Sequence, residues 1–198
     1  IFPKKTREKW VEYFNSQDYE VILTTASLSL RLAMIAPRLK AATIGWQHNC
    51  YDGYLHVKPV VFWQQENLLQ QYLPNLDRYI VLSDYDKRDY MEKLGIDCEV
   101  KINPRSFVSE KKCDVKSKRF LMATRFVYAK GLDLMMESFE EFCKEDSEWE
   151  LDIIGDGDLF DQISADAKKR HLEKRVHFVG YTNEPEKYYL NSSVFLLP

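Results

Sequence analysis

The chain lacks any cysteine pairing pattern. Cys50, Cys98, Cys113 and Cys143 are scattered through 198 residues with no Cys-x-x-Cys. That spacing excludes a disulfide frame or a zinc ribbon and predicts reduced, mostly buried thiols. Charge excess is lacking too: 28 Lys and Arg stand against 31 Asp and Glu, a net charge of −3. Such a balance gives no general pull towards nucleic acid, so none is expected as a partner, and any anion must be recognised locally. Neither a signal peptide nor an apolar run near the membrane-spanning length is present. The most apolar helix candidate, residues 27–42, carries Arg31, Arg38 and Lys40. A cytoplasmic protein is therefore expected. No Asp-x-Asp sits at a strand end and no His/Cys/Asp cluster has ligand spacing, so neither a metal nor another cofactor is predicted. The acids of residues 137–150 and 156–166 read as solvated helix faces. Internal repeats and low-complexity segments are also missing.

What is present is a globular composition, 45% hydrophobic and 14% aromatic, long enough for one large domain or two small ones. Residues 3–15 read as a helix with Trp10, Val11 and Phe14 on one face. A β-rich run at 19–24 precedes a helix from Ser27 that Pro37 bends or ends. Residues 42–46 form a short strand running into a polar and aromatic loop, Gln47 to Tyr54, and residues 57–72 read as a helix apart from their start near Pro59. A strand at 79–82 is followed by Ser83, which can cap a helix with Asp86 in the reciprocal position and Gly95 closing it. Residues 98–102 are again extended.

From residue 103 to 118 this alternation stops, and 110–118 is mostly charged. It then resumes with strands at 120–123, 149–154, 175–179 and 194–197 and helices at 132–144, 158–170 and 185–190. In helix 132–144, Leu132, Met135, Met136, Phe139 and Cys143 share one stripe, which is core. Short strands alternating with helices predict an α/β fold with parallel sheets built from βαβ units. The expected organisation is two Rossmann-like domains, 1–103 and 119–198, joined by a linker at 104–118. The alternative is one domain with a long surface loop.

The second half is organised around Arg119-Phe120-Leu121-Met122-Ala123-Thr124-Arg125-Phe126-Val127-Tyr128-Ala129-Lys130-Gly131. A strand here ends in a cationic loop that feeds a helix N-terminus, which is a natural anion site. Arg125 can hold two phosphate oxygens in its planar fork, while Lys130 acts as a point charge. On spacing alone, a solvated loop that happens to be basic is an equal reading. Gly155-Asp156-Gly157 sits at another strand-to-helix junction, where glycines allow a tight turn and close approach to a ligand. Phe160 stands where a dinucleotide fingerprint needs its third glycine, which counts against an NAD enzyme. His48 comes at the carboxyl end of a strand, where open α/β sheets place ligand residues, or else is satisfied within its loop. His56, His171 and His177 read as structural.

Four segments occur in order at helix-length separations: Arg125 to Gly131, Ile153-Ile154-Gly155-Asp156-Gly157, Val176-His177-Phe178-Val179-Gly180-Tyr181, and Val194-Phe195-Leu196-Leu197-Pro198. The series resembles the donor-binding domain of retaining glycosyltransferases of family 4, well over residues 78–198 and more loosely before. The resemblance implies the GT-B architecture, two Rossmann-like domains, both incomplete in this chain. It implies that Arg125 and Lys130 bind the diphosphate of a nucleotide sugar beside Gly131. It implies that Gly155 and Gly157 border the nucleotide, and that backbone groups of Gly180, Tyr181 and Thr182 read the base, with UDP favoured. It implies that His48 faces the transferred sugar. Members carry a Glu-x7-Glu segment shortly after the strand that ends here at Pro198, and the chain begins at Ile1 without Met, so a piece of a longer protein is expected.

The implied activity is transfer of a sugar from a nucleotide-diphosphate sugar to a glycan or lipid-linked acceptor in cell-surface polysaccharide synthesis. No metal is expected in that chemistry. Peripheral contact with the inner face of a membrane would follow from a lipid-linked acceptor. Alternatives are another GT-B enzyme, a sugar-nucleotide epimerase or phosphorylase, and a nucleotide-sugar-binding module without catalysis.

Overall fold

The strand-helix alternation resolves into two parallel sheets of four strands each. The computed structural model describes residues 2–56, 64–105 and 108–197, and the chain divides into two units, Ile1–Ser106 and Phe107–Pro198. The expected α/β class with parallel sheets is what is found.

In the first unit the order is α1 (Lys4–Ser16), β1 (Val21–Thr25), α2 (Ser27–Ala33), β2 (Ala42–Trp46), α3 (Tyr51–Leu55), α4 (Glu66–Tyr72), β3 (Arg78–Val81), α5 (Asp84–Leu94) and β4 (Glu99–Val100). The strands lie in chain order, β1-β2-β3-β4, with Leu23 beside Ile44 and Gly45 beside Tyr79. Helix α2 stops at Ala33, and Pro37 sits in a single 3-10 turn, Ala36–Arg38, because proline cannot continue the ladder of α-helical bonds. Of the helix expected at 57–72, residues 57–63 lie outside the described residues, and α4 covers the rest. The loop expected from Gln47 to Tyr54 is in part a helix, α3, whose first turn is closed by the Cys50 thiol accepting Gly53 N–H at 3.3 Å. Leu32, Ile35, Leu55, Leu69, Leu73 and Tyr90 are fully buried here. Each such side chain contributes roughly 1.5–3 kcal/mol.

The cap at Ser83 forms as expected, with its hydroxyl oxygen accepting Asp86 N–H at 3.1 Å. Asp86 does something the local pattern did not foresee. Its carboxylate accepts the Ser83 hydroxyl at 2.7 Å and Tyr51 N–H at 2.9 Å, which ties α5 to the start of α3.

The second unit contains β5 (Arg119–Ala123), α6 (Leu132–Glu145), β6 (Glu150–Ile154), α7 (Phe160–Lys169), β7 (Val176–Gly180), α8 (Pro185–Leu190) and β8 (Val194–Phe195). Phe120 pairs with Leu151 and Met122 with Ile153, which aims these apolar positions at the core beneath α6 and α7. The predicted stripe of α6 is in that core, with Leu132, Met135, Met136 and Phe139 buried and Cys143 half-buried at its edge. Residues 114–117 are fastened to this unit: Asp114 N–H donates to Leu190 O at 2.8 Å, and the hydroxyls of Ser117 and Ser193 share a 2.9 Å bond.

Candidate functional site

The strand order β7-β6-β5-β8 reverses direction at β5. Two strands are added on one side of it and one on the other. Open parallel sheets bind ligands outside the carboxyl ends of their strands at such a reversal. The loops that follow β5, β6 and β7 therefore converge where a ligand is expected, and they hold Arg125, Gly155, Tyr181 and Thr182.

Backbone hydrogen bonds stitch these loops together. Thr124 N–H donates to Ile154 O at 3.0 Å, Gly155 N–H to Gly180 O at 2.9 Å, and Phe126 N–H to Asp156 O at 2.9 Å. Leu159 N–H closes the set on Phe126 O at 3.0 Å. Gly155 and Gly157 have φ of +128° and +151°, values that favour glycine. A Cβ on Gly155 would lie 1.8 Å from Thr124 O, and one on Gly157 would lie 2.7 Å from Phe126 O. These two glycines thus have a packing role that the sequence did not show. They let the loop after β5 lie on the turn after β6, and they act on the ligand site through that packing.

Phe126 anchors the same loop from below. It is 0% exposed, stacks on Phe160 at 5.8 Å and faces Phe178 at 6.3 Å. Phe160, noted in the sequence for the glycine it replaces, is thus part of this aromatic floor. Sequence reading passed over Phe126 because it looked like one more apolar residue. Its signal is its place directly after Arg125, in the loop that leads from β5 to α6.

With Phe126 pointing in, Arg125 points out and is exposed. It lines a cleft of about 530 Å³ together with Thr124, Ile154, Gly155, Asp156, Tyr181 and Thr182. Thr124, Ile154 and Asp156 were not predicted. Asp156 Oδ1 accepts Gly157 N–H at 2.8 Å, so the carboxylate braces its own turn. Tyr181 is 78% exposed and offers a free ring face at the cleft. Gly180 borders the cleft through its bond to Gly155, and Gly157 lies under Phe126.

Lys130 and Gly131 are outside the lining, at the end of a 3-10 turn, Tyr128–Lys130, that leads into α6. No side chain caps α6, whose first N–H groups are left without intrahelical acceptors. Neither the Arg125 guanidinium nor the Lys130 ammonium is hydrogen-bonded or ion-paired to another described residue. Elsewhere in this unit Arg119 is bound by Asp152 and Glu150, and Arg175 by the Trp149 and Asp146 carbonyls. Two unpaired cations thus precede an uncapped 14-residue helix, whose N-terminal amides favour an anion and whose first turn also carries Asp133.

In the first unit, His48 follows β2 by two residues and is exposed, with its ring stacked on Trp46 at 5.2 Å. Sheet order there shows no reversal among the described strands, so topology alone does not mark His48 as it marks Arg125. His56 is held between Asp52 and Glu66, each at 2.9 Å. Hydrogen bonds to Asp52 first, then Glu66, raise its pKa. His177 bonds Glu150 at 2.8 Å. The cysteines are free thiols, but the expectation that most are buried is corrected: Cys50 and Cys113 are exposed, and only Cys98 is fully buried, where desolvation pushes its thiol up to about 12. Among the described residues no group of three or more His, Cys, Asp or Glu is placed to hold a metal, and no helix is long and apolar enough to cross a membrane.

The chain is 27% identical over 184 residues to an uncharacterized glycosyltransferase of Haemophilus influenzae, covering 90% of this chain and 50% of that protein. It is 27% identical over 134 residues to the poly(ribitol-phosphate) alpha-N-acetylglucosaminyltransferase of Staphylococcus aureus, covering 64% of this chain and 26% of that one. The chain thus spans half or less of the length of these relatives. Its fold is shared with a mutant of S. aureus TarM solved in complex with Fondaparinux, alpha-GlcNAc-glycerol and UDP. The TM-score is 0.76 at 18% identity, over 96% of this chain and 39% of that one. Residues 106–198, which include Arg125, Lys130 and α6, match the family model described as Glycosyl transferases group 1.

Proposed function

We propose that this chain supplies the donor-diphosphate site of a retaining glycosyltransferase of the family 4 type. The sugar leaves a nucleotide diphosphate, UDP favoured, for a glycan or lipid-linked acceptor in cell-surface polysaccharide synthesis. The observation that carries the reading is the pair of unpaired cations, Arg125 and Lys130, beside an uncapped helix at the reversal of a parallel sheet. The UDP in the TarM complex and the family match over the same residues support it.

In this reading the cleft after β5, β6 and β7 takes the nucleotide. The base lies against Tyr181 and the backbone of Gly180 and Thr182, with Gly155 below. Arg125 grips the diphosphate with its fork, and Lys130 with the start of α6 offsets the charge that grows on the departing nucleotide. Charge stabilisation of this kind is strongest when the donors are held in place beforehand. The Phe126 anchor does that for Arg125. These groups can neutralise a leaving diphosphate without a metal ion. His48, in the first unit, is proposed to face the transferred sugar.

Calorimetric titration of the chain with UDP and with GDP tests this. The tighter nucleotide identifies the base, and Lys130→Ala weakens binding about tenfold or more, roughly 1.4 kcal/mol. Equal affinity of wild type and variant would move the phosphates away from α6.

A further inference from the structure

The residue before His48 is built into the first unit in an unusual way. Gln47 is only 1% exposed although it follows the last residue of β2. Its backbone N–H continues the sheet by donating to Ile80 O at 2.8 Å. Its side chain then turns back beneath the loop that it starts. Gln47 Oε1 accepts His48 N–H at 2.9 Å and Asn49 N–H at 3.4 Å. The carboxamide thus replaces the next strand as acceptor for the first two amides beyond the sheet.

The other end of the carboxamide is buried among tyrosines. Gln47 Nε2 has no hydrogen-bond partner of ordinary length. The Gln47 side chain opposes the rise in the Tyr54 and Tyr90 pKa that burial causes. A buried amide nitrogen without a close acceptor costs stability. The fold retains it with the oxygen aimed at the His48 turn. On the far side the turn is held by Asp86, which accepts Tyr51 N–H at 2.9 Å. Between these two fixed points the His48 imidazole rests on the Trp46 ring with an interplanar angle of 29°.

We propose that Gln47 is the positioning residue for His48: its buried carboxamide oxygen sets the turn that holds the imidazole against Trp46. The relevance of this to sugar transfer rests on the reading of His48 above, while the placement itself does not. A purely space-filling Gln47 would affect the stability of the whole unit and leave the His48 ring where it is.

Nuclear magnetic resonance of the chain separates the two roles. The Trp46 ring current displaces the His48 ring protons in the wild type. Gln47→Met keeps the length of the side chain and removes the acceptor. In that variant the His48 ring protons return towards unstacked values, and His48 amide exchange rises about tenfold, the scale of one net hydrogen bond. Ile80 and Val81 amides keep their protection. Gln47→Glu restores two acceptor oxygens on the same stem and returns the His48 ring signals to their wild-type positions. In sugar transfer, Gln47→Met lowers kcat and leaves KM for the nucleotide sugar unchanged. Unchanged His48 ring and amide signals in folded Gln47→Met overturn the proposal. Where the Met variant does not fold, displaced His48 signals in Gln47→Glu overturn it and wild-type signals support it. Failure of UDP to bind would strike the diphosphate reading and leave the His48 signals untouched, so the two failures are distinguishable.

Discussion

Arg125→Ala lowers kcat/KM of the active enzyme by two to three powers of ten, about 2.7–4 kcal/mol of transition-state stabilisation, the scale of one preorganised donor. The size follows from how the side chain is held. Phe126 is buried immediately beside it and its backbone is bonded on both sides, N–H to Asp156 O and C=O from Leu159 N–H. In the proposed reading the guanidinium therefore meets the diphosphate without first ordering its loop. It forms no ion pair with a described acid, although Asp156 lines the same cleft. Because the charge on the leaving group is greatest in the transition state, the loss falls mainly on kcat. Arg125→Lys recovers part of the charge and none of the fork, so its activity lies between the two. An Arg125→Ala enzyme with unchanged kcat/KM would remove the guanidinium from the chemistry.

Gly155→Ala has the second large effect, and on a different quantity. One methyl group there meets the Thr124 carbonyl oxygen at 1.8 Å, and the opposing atom belongs to backbone that is itself hydrogen-bonded to Ile154. Neither side can rotate away. The left-handed φ of +128° adds strain for any residue with a Cβ. Strain and overpacking together cost about 2–6 kcal/mol, a large share of the stability of a small domain. Thermal denaturation of Gly155→Ala shows a lowered midpoint for the second unit, and nucleotide binding is lost with it. A variant as stable as the wild type would mean that the loops after β5 and β6 do not pack as described.

Much of the fold was legible because period and punctuation agreed. Helix α8 matches its expected bounds, residues 185–190, from Pro185 onwards, and α6 exceeds its expected end by one residue. Ser83 and Gly95 bound α5 as local capping chemistry requires. What was not legible depends on residues far apart in the chain. The segment from Gln47 to Tyr54 looked like a loop because Gly53 and Asp52 are turn formers, yet α3 forms there with its first amide bonded to Asp86, thirty-five positions away. Asp86 looked like the reciprocal half of a local cap and serves that distant amide as well. Sequence alone suggested that Gly155 and Gly157 spare room for a ligand. The close approach of Thr124 and Phe126 to them could be seen only with the partner loop in place. The cations of the candidate site were visible, since loop residues before a helix carry their own signal. Phe126 was hidden, since nothing local distinguishes an anchor from ordinary core.

The central claim is that a nucleoside diphosphate binds at the carboxyl edge of the second sheet. Amide chemical-shift mapping of the labelled chain during titration with UDP tests it most directly. The account predicts saturable shifts concentrated at Thr124, Arg125, Gly155, Tyr181 and Thr182 and at the first turn of α6, Leu132 and Asp133, with the amides of β1 and α1 unmoved. Saturable shifts that leave these residues still and fall elsewhere would contradict it.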